Sequence, residues 1–169
     1  MPSLKVGNIV LVYFAEPISR SYASEEQVKH GTMSMSEKSM TIIKTKSVQD
    51  PIEKSDGTRI LATRFHPRIK GFKKGIAYAE WLRGLSPHEE LLTAYGEKVI
   101  DQRAFAAEYE YSLSRNCGQH TEKGIALSII ARMISKGTPV VTLLCFEPED
   151  GKTFCHRHIL KQFLKIRFC

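Results

Sequence analysis

A chain of 169 residues that is 42% apolar and 25% charged is long enough to bury a core as one domain without disulfide staples. Its net charge of +7 suits anionic partners, phosphorylated small molecules or nucleic acid, and equally suits lysines carried on solvated faces. No apolar run approaches the roughly 20 residues of a membrane span. Four cysteines are too sparse for a secreted disulfide scaffold, so free thiols in the cytoplasm and no membrane partner are expected.

Residues 4–15, rich in β-branched and aromatic side chains and closed by Glu16-Pro17, read as an extra N-terminal strand. The apolar stretch 9–15 behind Lys5 has no small-residue cleavage site after it, so it is not read as a signal peptide. Residues 19–39 turn polar and include Gly31, Met33 and Met35, the composition of a linker, a loop or a short polar helix. Residues 1–39 are therefore set apart from a domain over 40–169. Within that domain a strand is predicted over 41–48, broken by Asp50-Pro51. A turn follows at Ser55-Asp56-Gly57, and a second strand at 58–63 runs into Arg64-Phe65-His66-Pro67-Arg68, where proline ends the ladder.

A basic loop over 70–75 leads to a helix predicted at 76–83, which holds Trp81. Ser86-Pro87-His88-Glu89 has the order of a helix start, with serine as N-cap, and that helix stops at Gly96. Further helices are predicted at 98–113 and 122–135, the second capped by Lys136-Gly137. The short apolar run Val140 to Leu144 reads as a buried strand ending in Cys145-Phe146-Glu147, and a final helix is predicted from Cys155 to Arg167. Strand, helical crossover, strand, helix is the signature of parallel pairing. The expected fold is one α/β domain, a small, mostly parallel sheet flanked by helices in Rossmann-like layering.

Two stretches carry a resemblance. The line Asp56-Gly57-Thr58-Arg59-Ile60-Leu61-Ala62-Thr63-Arg64-Phe65-His66-Pro67-Arg68, followed by Trp81-Leu82 and Leu85-Ser86-Pro87, resembles one signature of the DUF488 family, in particular its YeaO-like branch. Leu143-Leu144-Cys145-Phe146-Glu147 with Cys155-His156-Arg157 resembles the other. The resemblance covers about residues 41–166. It departs at Thr63, His66 and Ile69, where many relatives carry an acidic residue, an aromatic and a glycine. It implies one α/β domain and points to the same signature residues, and it implies no particular reaction.

In an open α/β sheet, ligands bind beyond the carboxyl ends of the strands. Arg64 and Arg68 follow one strand, Cys145 and Glu147 end another, and Cys155, His156 and Arg157 begin the last helix. A phosphate or nucleotide bound by Arg64, Arg68 and Arg157, with His66 and His156 lining the site, is one reading. The other has these arginines pairing with Glu147, Glu149 or Asp150 to tie loops together. Any chemistry falls to Glu147 as acid or base and to Cys155 or Cys145 as thiol. For Cys155 as nucleophile, His66 or His158 has better geometry as a base than its neighbour His156.

Cys145, Cys155, His156 or His158, and His66 are zinc-type donors. No CxxC or HxxxH pair is present, and nine residues separate the two cysteines, so neither a metal nor a cofactor is assigned. The basic loop Lys70, Lys73 and Lys74 with Phe72 between, and Lys161, Lys165 and Arg167 on the last helix, make a non-catalytic nucleic-acid-binding or accessory module the alternative function. Trp81, Phe105, Tyr109 and Tyr111 read as core or pocket wall.

Overall fold

The computed structural model describes residues 40–168, and the strand expected at 4–15 and the polar segment after it lie outside them. Four strands, β1 (Ile42–Ser47), β2 (Thr58–Leu61), β3 (Glu80–Trp81) and β4 (Val140–Cys145), form one all-parallel sheet in the order β1-β4-β2-β3. β4, late in the chain, enters between β1 and β2. Both of its edges are therefore paired, and Val141 to Cys145 are all buried, as an uninterrupted apolar run requires.

Side chains alternate across a strand, and the two faces are covered differently. Ile43, Ile60, Ala62, Val141 and Leu143 share one core with residues of α1 (Glu89–Gly96), α2 (Gln102–Asn116), α3 (Glu122–Ser135) and α4 (His156–Phe168). Leu61 and Leu144 point the other way and meet Val48, Phe72, Ala77 and Tyr78. The α/β class and the parallel sheet match expectation. The second face is packed by the loop between β2 and β3, where flanking helices were expected.

The helix predicted at 76–83 is corrected. Ala79 and Leu82 donate their amides to Arg59 and Leu61 of β2, at 2.8 and 2.9 Å, so this segment becomes edge strand β3 and a 3-10 turn (Arg83–Leu85). Trp81 Nε1 donates to the Thr63 carbonyl at 2.8 Å, which ties the edge strand to the end of β2. Ser86 caps that 3-10 turn, and α1 begins three residues later with the His88 ring accepting from the Leu91 amide at 3.2 Å. α2 starts at Gln102 behind the Asp101 cap, because Lys98 adopts φ 60° and cannot continue a helix. Among the described residues no helix is long and apolar enough to cross a membrane.

Candidate functional site

The carboxyl ends of β2 and β4 are adjacent, because Leu61 pairs with Leu144 and the Ala62 amide continues the ladder to the Leu144 carbonyl at 3.0 Å. Beyond them lies a cavity of about 120 Å³, lined by Thr63 and Arg64 after β2, Ser86, and Cys145, Glu147 and His156. Phe65, Pro87, Leu92 and Phe146 form its apolar wall. A wider groove of about 570 Å³ lies along α2 and is lined mainly by exposed polar residues such as Glu108, Arg115 and Gln119. It gathers no convergent set of reactive groups, so the smaller cavity is the candidate site.

At its inner end four titratable groups meet. His156 Nε2 donates to the Ala62 carbonyl at 3.0 Å. That bond fixes the tautomer, so the Nδ1 lone pair points to the two sulfurs, each 3.9 Å away on Cys145 and Cys155. The Cys155 thiol also donates to Glu147 Oε2 at 3.0 Å. Behind the imidazole the buried Tyr109 ring stands edge-on at 5.7 Å, and its hydroxyl donates to the Leu85 carbonyl.

The two thiols titrate as a pair. Cys155 is the acidic member: a hydrogen bond from Cys145 lowers it most, and His156 and the Arg157 amide at the start of α4 lower it further against the cost of burial. Cys145 is pushed up by its partner thiol, by burial and by Glu147. Burial would raise the Glu147 carboxyl, but hydrogen bonds from both thiols outweigh it and hold the group below its ordinary range.

Arg157 has no exposed surface. Its Nη1 donates to the Glu147 carbonyl at 2.6 Å, and its Nη2 to the Pro148 carbonyl at 2.9 Å and to Glu149 Oε2 at 2.7 Å. It therefore clamps the loop after β4 from within and aims Glu147 at Cys155. This matches the loop-tying reading of that arginine. Arg68 is exposed and away from the cavity lining. His66 is also elsewhere: its Nδ1 donates to the Pro67 carbonyl at 3.0 Å, its Nε2 accepts from Tyr78 Oη at 2.8 Å, and Phe72 and Trp81 surround it. Phe72 is buried on Tyr78, so it is not available to stack on a base, which corrects the reading of the basic loop. Of the residues named from the sequence, Arg64, Cys145, Glu147 and His156 line one cavity, and Cys155, bonded to Glu147, lines a separate groove with residues of α2 and α4.

Lys123, Thr63 and Ser86 were not singled out as site residues. Lys123, in the first turn of α3, donates from Nζ to the Ser86 carbonyl at 2.7 Å and lies over the Tyr109 ring at 5.1 Å. Burial, followed by the charge of Arg64, lowers its amine to about 8. A lysine at a helix N-terminus opposes the dipole, and that mismatch was the available sequence signal.

A family model, DUF488-N3a, described as the active DUF488-N3 subclade, matches residues 43–167. The chain belongs to the DUF488 family. Over 91 residues it is 40% identical to an Escherichia coli (strain K12) protein bearing the name "Uncharacterized protein YeaO", a match that covers 53% of this chain and 74% of that protein. No solved structure matches. Both signature stretches of this DUF488 chain fall inside the matched span, and they supply both sides of the cavity.

Proposed function

We propose that the cavity at the ends of β2 and β4 binds a phosphorylated or nucleotide-like anion and acts on it by proton transfer. Arg64 is the anion anchor and Glu147, held as a carboxylate, the base. The observation that carries this reading is the Arg64 guanidinium on the cavity wall, whose ion-pair partner Glu89 is exposed. Arg64 meets the exposed Glu89 carboxylate at 4.0 Å and acts on the exposed Glu90 carboxylate as well, and its charge helps to depress Lys123. Exposed carboxylates are weak partners, so the guanidinium keeps capacity for charge-assisted hydrogen bonds to an anion in the cavity. Glu147, on the same cavity, would meet the ligand from the thiol side. The description of the matched subclade as active favours an enzyme over an accessory module. The cysteines 117, 145 and 155 are free thiols, in keeping with a reducing, cytoplasmic setting.

Isothermal titration with inorganic phosphate and a panel of nucleotides tests the reading. Arg64→Met should weaken binding by about 10- to 100-fold, the worth of a charge-assisted hydrogen bond of about 1.5–3 kcal/mol. Equal affinity for wild type and this variant, with both folded, removes the anchor role. Retention on immobilised RNA or DNA that falls steeply with salt, and survives Arg64→Met, would favour the accessory reading instead.

A further inference from the structure

The inner end of the cavity has a second property that does not depend on anion binding. Cys145, Cys155 and His156 are all buried, and their donor atoms Sγ, Sγ and Nδ1 lie within 4.8 Å of one another. In a tetrahedral zinc site, bond lengths of about 2.3 Å to sulfur and 2.0–2.1 Å to nitrogen place sulfur and nitrogen roughly 3.6 Å apart and the two sulfurs roughly 3.8 Å apart. Both sulfur–Nδ1 separations here are 3.9 Å, a few tenths of an ångström from that arrangement.

The imidazole is also oriented as a ligand. Its Nε2–H is committed to the Ala62 carbonyl, the kind of outer hydrogen bond that fixes ligating histidines. Its Nδ1 lone pair meets only the two thiols, at a length where neither S–H makes a strong bond. The donors are held by ordered backbone. Cys145 ends the central strand and its carbonyl accepts from the Val48 amide at 2.8 Å, while His156 opens α4. No short cysteine spacing announces this set, because the nine-residue loop that separates Cys145 from Cys155 is folded back by Arg157.

We propose that Cys145, Cys155 and His156 form a zinc site with three protein ligands and a fourth position open to the cavity. Two thiolates and an imidazole select zinc over magnesium or calcium. The ion would displace one proton from each thiol and leave the bound sulfurs as thiolates. Because Cys145 and His156 line the cavity, the fourth position faces whatever occupies it. Glu147, 3.0 Å from the Cys155 sulfur, stands beside that position, suited to accept a proton from a zinc-bound water.

The test uses the full chain, reduced, stripped of metal and desalted, then titrated with zinc or cobalt. About one equivalent should bind. Cobalt should give the thiolate charge-transfer band and the visible d–d bands of a four-coordinate site. Zinc should slow the reaction of two of the four thiols with a disulfide reagent well below their rate in the metal-free chain, where burial alone shields them. Cys145→Ser, Cys155→Ser and His156→Gln should each weaken binding by on the order of 100-fold or more, and Cys117→Ser should not change it. Should the ligand variants misfold, the wild-type cobalt spectrum and the thiol protection decide alone. Wild-type protein that takes up no cobalt at micromolar concentration and shows no zinc-dependent change in thiol reactivity would overturn the proposal. So would a Cys145–Cys155 disulfide in the purified chain that, once reduced, still binds no metal. None of these readouts involves phosphate or nucleotide affinity, so this proposal and the anion reading fail separately.

Discussion

Substitution of Arg157 separates a structural clamp from a ligand anchor. The guanidinium is wholly buried and reaches two backbone carbonyls and the Glu149 carboxylate. In Arg157→Met both carbonyls and the carboxylate lose their partner together. Breaking a buried ion pair from one side costs about 3–5 kcal/mol. The Glu149 side chain is 34% exposed and can rehydrate, which places this case near the lower end. At about 3–5 °C per kcal/mol for a domain of this size, the melting temperature should fall by about 10–15 °C. Arg157→Lys keeps the charge but cannot span all three acceptors from one ammonium, and about half that loss is expected. Thermal and guanidinium unfolding followed by circular dichroism, run beside phosphate or nucleotide titration, provide the assay. If both variants melt within 2 °C of wild type while ligand affinity collapses, the clamp argument is refuted and Arg157 is a ligand anchor after all.

Three further outcomes follow from individual residues. For the buried Asp56, burial pushes the carboxyl up, but the Glu53 amide, Lys46 and Arg59 together hold it below its ordinary 3.8. Its contribution is thus full above that value and lost as pH falls through the lower folded one; urea melts from pH 7 to pH 3 should show that acid-side loss in wild type and a shallower one in Asp56→Asn, and parallel curves would rule this out. Gly57 has φ 59° and an added Cβ would lie 2.4 Å from the Val140 carbonyl oxygen, whereas Gly137, at φ 75°, opens onto free space. Gly57→Ala should therefore cost about 2 kcal/mol or more beyond Gly137→Ala, since both carry the strain and only one the clash, and equal chemical-denaturation midpoints would contradict this. Lys123 sheds its proton near 8 in the folded chain and near 10.5 when unfolded, so the unfolded state holds the extra proton between those values and stability should rise with pH there. Lys123→Met should abolish that rise in thermal melts from pH 7 to pH 10, and an unchanged slope would show that the lysine is not the source.

The legible parts of this chain were those whose cause is local. The buried run over Val140 to Leu144 and the capped helix over Glu122–Ser135 each state their environment through their own periodicity. β3 did not, because a two-residue edge strand has no period to read and exists only through amides that β2 accepts. Among the candidate residues, those at strand ends reached the cavity. Arg68 and His66 did not, because proline at 67 turns the chain off the ladder toward the aromatic cluster on the opposite face. For Arg157 the sequence leaves the anion-binding and loop-tying readings both open, because burying a guanidinium requires acceptors that only the folded loop presents. The same loop explains the thiols. Their separation in sequence argues against a shared metal, and the fold-back that brings the two sulfurs together is a tertiary effect.

Those origins bear on how the site forms. Its reactive walls follow β2, at residues 63–65, and β4, at residues 145–156, and β4 is itself paired on both edges by β1 and β2. The His156 imidazole is oriented by a carbonyl on the far side of that seam, at Ala62. Neither wall is therefore complete until β4 has inserted, which closes a loop of nearly eighty residues and carries the entropic cost of non-local pairing. The donors and Arg64 should then gain and lose their geometry together with the central sheet, not with the fraying of α4 alone. A site built this way is held by the most protected part of the molecule, which suits chemistry that needs fixed distances between a thiol, an imidazole and a carboxylate.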